Sequence, residues 1–121
     1  VDDNKVPIKV VYIDDEELLC QIFKEYLHST DINITTFTDE LSAITYCNET
    51  NPDIIFIDYR LTQLNGVDVA KAIVNDAIKV LITGELDVAM DHCFSDKIQK
   101  PYRLAAIKSL IIDAASYRKA L

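Results

Sequence analysis

The stretch Ile54-Ile55-Phe56-Ile57-Asp58 decides the fold. Four consecutive apolar side chains put bulk on both faces of a strand, which is stable only where helices cover both faces, as for a central strand of a parallel sheet. An aspartate then stands at its carboxyl end. Working outward, Ile8 to Ile13 reads as a first strand, and Asn33 to Phe37 as a second whose alternation marks a sheet edge. Val80 to Thr83 reads as a fourth strand and Lys97 to Lys100 as a short fifth. Apolar residues at helical spacing fill the intervals. A first helix runs from about Asp15 to Leu27, with the stripe Leu18, Leu19, Ile22, Phe23, Tyr26 and Leu27. A second, capped by Thr38, carries Leu41, Ile44 and Cys47 and stops before Asn51-Pro52. A short third carries Val67, Ala70, Ile73 and Val74, and a closing helix from Arg103 to Leu121 has Leu104, Ile107, Ile111 and Ala115 on one face. Leu86 to Phe94 leaves room for at most about two helical turns.

Five strand-then-helix repeats imply right-handed crossovers and an α/β fold. The expected architecture is the flavodoxin-like doubly wound five-stranded parallel sheet, order 2-1-3-4-5, with a shortened fourth helix. Only two glycines occur, Gly66 and Gly84, both at strand-to-helix connections, where unusual backbone angles or close backbone approach are expected.

At 121 residues and 50% hydrophobic content, residues 1–121 are expected to form one domain with its own core, needing neither disulfide nor metal staple. Cys20, Cys47 and Cys93 are odd in number and too widely spaced for a zinc cluster, so they read as small apolar fillers in a reducing compartment. No apolar run is long enough to span a bilayer and no signal peptide is evident, which points to a soluble, cytoplasmic protein without membrane contact. Twenty acidic against 12 basic side chains give a net charge of -8, which repels phosphate backbones and argues against direct nucleic acid binding. The chain begins with Val1 rather than methionine, as a segment cut from a longer protein would.

In a sheet of this order, ligands bind beyond the carboxyl ends of the strands, between strands 1 and 3. Strand 1 ends in Asp14-Asp15, strand 3 in Asp58, strand 4 in Thr83 and strand 5 in Lys100. Three carboxylates so close repel one another, and a hard divalent cation relieves the conflict. Oxygen donors without histidine or thiolate select magnesium, manganese or calcium over zinc or copper. The Thr83 hydroxyl and Lys100 ammonium would complete a set able to hold phosphoryl oxygens, leaving one carboxylate to attack phosphorus and form an aspartyl phosphate.

Taken together, these residues resemble the receiver domain of bacterial two-component response regulators, over essentially the whole chain. The resemblance implies magnesium, or manganese in its place, at Asp14, Asp15 and Asp58, with the backbone carbonyl of Arg60 as a further ligand. It implies that Asp58 accepts phosphate from a sensor histidine kinase or a histidine phosphotransfer protein, and that Thr83, Gly84 and Lys100 bind the phosphoryl group. Gly66, eight residues beyond Asp58, and Tyr102, after Lys100-Pro101, also match, and the Lys100-Pro101 bond is expected to be cis. Such a domain is a phosphorelay signalling module that catalyses only its own phosphorylation and dephosphorylation. A covalently linked output domain and a weak homodimer both accord with the resemblance.

Two departures stand out. Thr62 occupies a position where the family usually has proline, and Lys97 occupies the position, three before the lysine, where it has tyrosine or phenylalanine. In ordinary receivers that aromatic turns inward on activation. Burying an unpaired ammonium costs several kcal/mol, so Lys97 is expected to stay in solvent, with output carried by Gly84 to Met90 or by phosphate relay.

Asp15, Glu16 and Glu17 also suit a helix N-terminus electrostatically. His28 and His92 have no partner at metal-ligand spacing and read as surface residues. A flavodoxin needs a Ser/Thr/Gly-rich loop after strand 1, where this chain has Asp14-Asp15-Glu16-Glu17. A haloacid-dehalogenase-type phosphatase needs an Asp-x-Asp-x-Thr/Val pattern there, and a nucleotide hydrolase needs a phosphate-binding loop; neither is present. The runner-up is a degenerate receiver serving as a phosphorylation-independent protein-interaction scaffold.

Overall fold

The apolar run at Ile54–Asp58 forms the middle strand of a five-stranded parallel sheet. The computed structural model describes residues 6–85, 88 and 91–120. In chain order the elements are β1 (Ile8–Ile13), α1 (Glu17–Leu27), β2 (Ile32–Phe37), α2 (Glu40–Thr50), β3 (Ile54–Asp58), α3 (Gly66–Ala72), β4 (Ile78–Thr83), β5 (Asp96–Gln99) and α4 (Leu104–Ala120). The strand order is β2-β1-β3-β4-β5, the doubly wound arrangement expected from the sequence. The shortened fourth helix was expected over a stretch in which residues 86, 87, 89 and 90 lie outside the described residues. Among the described residues, no helix stands between β4 and β5.

Strand alternation divides the core into two layers. Val10, Tyr12, Ile54, Phe56, Val80 and Ile82 pack with Cys20, Phe23 and Leu27 of α1 and Ile107 and Ile111 of α4. Val11, Ile13, Ile55, Ile57 and Leu81 pack on the other face with Ala43 and Cys47 of α2 and Val69 and Ala70 of α3. Tyr12 of β1 is paired with Phe56 of β3, and Asp58 with Ile82 of β4, so Asp14, Asp58 and Thr83 emerge at one edge of the sheet. No helix among the described residues is long and apolar enough to cross a membrane.

The helices depart from the sequence expectations in instructive ways. The buried face of α1 is Cys20, Phe23 and Leu27, whereas Leu18 and Tyr26 are 66% and 71% exposed. Six apolar residues span more of the helix circumference than the sheet covers. The rotation is set by Phe23, whose ring stacks on Tyr12 at 4.1 Å, and by the Cys20 thiol, which donates to the Asp14 carbonyl at 3.3 Å. Helix α2 is capped by Asp39, not Thr38: the Asp39 carboxylate accepts from Ser42 N–H and from the Ser42 hydroxyl. Leu41 is exposed. Helix α3 ends at Ala72, with Ile73 as its extended C-cap, so Val74 leaves the stripe into solvent, and Val69 fills the core in its place.

Neither glycine has positive φ. Among the described residues, a side chain at Gly84 would meet only Lys100 Cβ, at 4.0 Å. Gly66 is different, because a Cβ there would stand 2.7 Å from the Asp58 carbonyl oxygen and 3.0 Å from Tyr59 Cα. Both are backbone atoms that cannot swing aside. Gly66→Ala is therefore expected to destabilise the chain by about 1–3 kcal/mol, the usual cost of overpacking. Urea unfolding would measure it, and a midpoint equal to wild type would contradict this packing.

Candidate functional site

Four of the five strands each deliver a chemical group to the carboxyl edge of the sheet. Asp14 follows β1, Asp58 ends β3, Thr83 ends β4 and Lys100 follows β5. Asp14 and Thr83 are completely or almost completely buried and Asp58 is 5% exposed, while Asp15 lies open to solvent. Carboxylate oxygens of Asp14, Asp15 and Asp58 come within 4.8 Å of one another. The Lys100 ammonium sits between the two buried acids, 3.3 Å from Asp14 Oδ2 and 3.3 Å from Asp58 Oδ2. The peptide bond that follows it, Lys100–Pro101, is cis.

The site opens into a cleft of about 500 Å³ lined by Asp15, Glu16, Asp58, Arg60, Thr83, Gly84, Glu85 and Lys100. Arg60 and Glu85 form an ion pair at its rim. Thr83 Oγ1 accepts from Glu85 N–H at 3.0 Å, which holds the hydroxyl at the strand end. Lys97 is exposed on β5, and its ammonium donates to the Val88 carbonyl at 3.2 Å. The stretch from Gly84 to Met90, expected to carry output, lies partly outside the described residues.

Electrostatics single out Asp58. Burial and the neighbouring Asp14 charge push its carboxyl up to about 6, against the opposing pull of Lys100. Burial pulls Lys100 down, but the carboxylates of Asp14 and Asp58 outweigh it and leave the ammonium more firmly protonated than usual. Cys20 and Cys47 are buried, and burial raises their thiols to about 11 and about 12, which suits inert fillers. His28 is on the surface, where its Nδ1 accepts from Ile34 N–H.

Three contributors escaped the sequence reading. Glu40 resembles an ordinary first-turn acid of α2, yet it is 1% exposed and its Oε2 accepts from Gln63 and Leu64 N–H, fastening the loop after Asp58. Tyr12 reads as a core aromatic, but its hydroxyl donates to Asp14 Oδ2 at 2.8 Å. Glu85 reads as a solvated charge and instead closes the rim on Arg60. All three bonds join segments distant in sequence or depend on side-chain direction, so no spacing signals them.

The donor set fits a hard divalent ion, since three carboxylates converge and two of them are buried with, among the described residues, a single lysine against them. The matching family model is the response regulator receiver domain, over residues 10–112. The probable transcriptional regulatory protein TcrX of Mycobacterium tuberculosis is 28% identical over 84% of this chain and 47% of its own length. The DNA-binding response regulator MtrA of the same species is 24% identical over 78% of this chain and 45% of its own. The chain thus spans about half the length of these curated relatives. Among solved structures, a response regulator receiver domain protein of Clostridium thermocellum superposes with a TM-score of 0.84 at 21% identity, covering 93% of this chain and 98% of that one. The signal receiver domain of a Luxo repressor protein of Vibrio parahaemolyticus gives 0.83 at 20%, covering 95% of each.

The raised Asp58 carboxyl has a stability consequence. Between about pH 4 and pH 6 the folded chain keeps a proton that the unfolded chain releases, so this group makes stability fall as pH rises through the window. In metal-free buffer above pH ~7, Asp58→Asn is expected to stabilise the fold by on the order of 1 kcal/mol, after allowance for solvent screening. The gain should vanish below pH ~4. Urea midpoints of both proteins at the two pH values provide the check, and a gain independent of pH would contradict the assignment.

Proposed function

The chain belongs to the response regulator receiver domain family, and on that premise we propose that Asp58 is a phosphoacceptor in a two-component phosphorelay. The observation that carries the reading is the pairing of a buried aspartate at the central strand end with a lysine 3.3 Å away, inside an open cleft. Phosphoryl transfer proceeds as an Asp58 carboxylate oxygen forms its bond to phosphorus while the nitrogen–phosphorus bond of a donor phosphohistidine breaks, the imidazole leaving with the electron pair. Lys100 neutralises charge on the phosphoryl oxygens, and the Thr83 hydroxyl stands at the edge to hydrogen-bond one of them. Asp14, Asp15, Asp58 and the Arg60 carbonyl would hold magnesium, or manganese in its place, which supplies charge neutralisation for the incoming phosphoryl group.

The donor is a sensor histidine kinase or a histidine phosphotransfer protein. MtrA is named a DNA-binding response regulator and is about twice as long as the matched segment, so we infer that a linked output domain receives the signal here too. With a net charge of -8, this segment itself does not contact nucleic acid. Lys97, which holds the Val88 carbonyl, supports a route of output other than an inward-turning aromatic at that position.

Incubation with a small phosphodonor and magnesium should add one phosphoryl group, read by intact mass, and Asp58→Asn should abolish the addition. Undiminished labelling of that variant would overturn the reading in favour of another acceptor, and no labelling of the wild type would favour the scaffold alternative. Magnesium should also stabilise the fold. With a dissociation constant on the order of 1 mM, ~10 mM magnesium adds about 1.4 kcal/mol. Calorimetric melting should show this shift in wild type and its reduction in Asp14→Asn; no shift in either would contradict the metal assignment.

A further inference from the structure

Two tyrosines extend the hydrogen bonding of the site into the core. Tyr12 is fully buried on β1, and its ring is clamped by the stack on Phe23, the planes 18° apart. Its neighbours on the same strand face, Ile8 and Val10, are aliphatic, and packing alone would be served by another such residue. The phenol hydroxyl adds something packing does not need. It donates to Asp14 Oδ2 at 2.8 Å, and the Tyr102 hydroxyl lies 2.9 Å from it.

A phenol has one proton to donate. Since that of Tyr12 points to Asp14, Tyr102 must be the donor in the bond between the tyrosines. The result is a directed chain from Tyr102 through Tyr12 to Asp14 Oδ2. That same oxygen accepts from Lys100 at 3.3 Å, so both of its lone pairs are engaged. Asp14 Oδ1 accepts from Glu16 N–H at 3.0 Å, which leaves it a second lone pair directed elsewhere.

We propose that Tyr12 is a positioning residue for Asp14: its donated bond fixes the rotation of the carboxylate and leaves Oδ1 as the oxygen available to a divalent ion. Tyr102 keeps the Tyr12 proton aimed by occupying its acceptor side. Because Tyr102 lies two residues before α4 begins at Leu104, the chain also ties the acidic cluster to the start of that helix. The inference rests on the metal reading of the cluster given above. Partners of metal ligands typically tune affinity by tenfold or more.

The test is calorimetric titration of magnesium alone into the whole chain, for wild type, Tyr12→Phe, Tyr102→Phe and the exposed control Tyr26→Phe. Each substitution removes one hydroxyl and keeps the ring. Tyr12→Phe should weaken magnesium binding about tenfold. Tyr102→Phe should weaken it by a smaller, measurable factor, and Tyr26→Phe should match wild type. Metal-free urea unfolding reports the fold separately, so a loss of affinity in a chain that still unfolds cooperatively marks positioning rather than general damage. Wild-type affinity in Tyr12→Phe overturns the inference alone. Should Tyr12→Phe fail to fold, wild-type affinity in Tyr102→Phe does the same. A wild-type chain that takes up no magnesium overturns the metal reading and the inference with it.

Discussion

Two aspartates buried at the ends of neighbouring strands, sharing one lysine, form the constraint around which this structure is organised. Like charges in a poorly solvated edge raise each other's energy, and a single ammonium offsets only part of the cost. The raised Asp58 carboxyl is the measure of what remains. A site in this condition has a standing affinity for positive charge and a carboxylate that is readily neutralised.

Holding such a site open demands rigid surroundings, and each comes from a different part of the chain. Gly66 lets α3 start against the Asp58 backbone, and its N–H donates to the Tyr59 carbonyl at 2.7 Å. Glu40, buried at the start of α2, takes two N–H groups of the loop that follows Asp58. Tyr12 pins Asp14 from below, and Lys100 N–H donates to the Thr83 carbonyl, locking β5 to β4 at the level of the acidic cluster. The edge is therefore braced from both helical layers.

The side that would transmit the signal is built differently. Lys97 reaches along the surface to the Val88 carbonyl, where an ammonium keeps its hydration, and no described aromatic takes its place on β5. The aromatic that touches the acidic cluster is Tyr12, and Tyr102, on the way into α4, bonds to its hydroxyl. Any coupling between site and helix along that path depends on hydroxyl groups rather than on the volume of a ring.

What the amino-acid sequence determined by itself was the order of the five strands and of the helices other than the one expected between β4 and β5, the position of β3 to the residue, and the four strand ends that carry Asp14, Asp58, Thr83 and Lys100. These follow from local physics: apolar runs of strand length, helical spacing between them, and a parallel sheet that gathers its strand ends on one edge. Only the tertiary structure decided which way α1 turns, because six apolar residues admit several rotations until Phe23 meets Tyr12. It alone decided that Asp39 rather than Thr38 caps α2, since adjacent residues compete for one N–H and backbone direction settles the contest. Tyr12, Glu40 and Glu85 likewise acquire their roles from partners up to 90 residues away, and hydrogen bonds at that range leave no period in the chain.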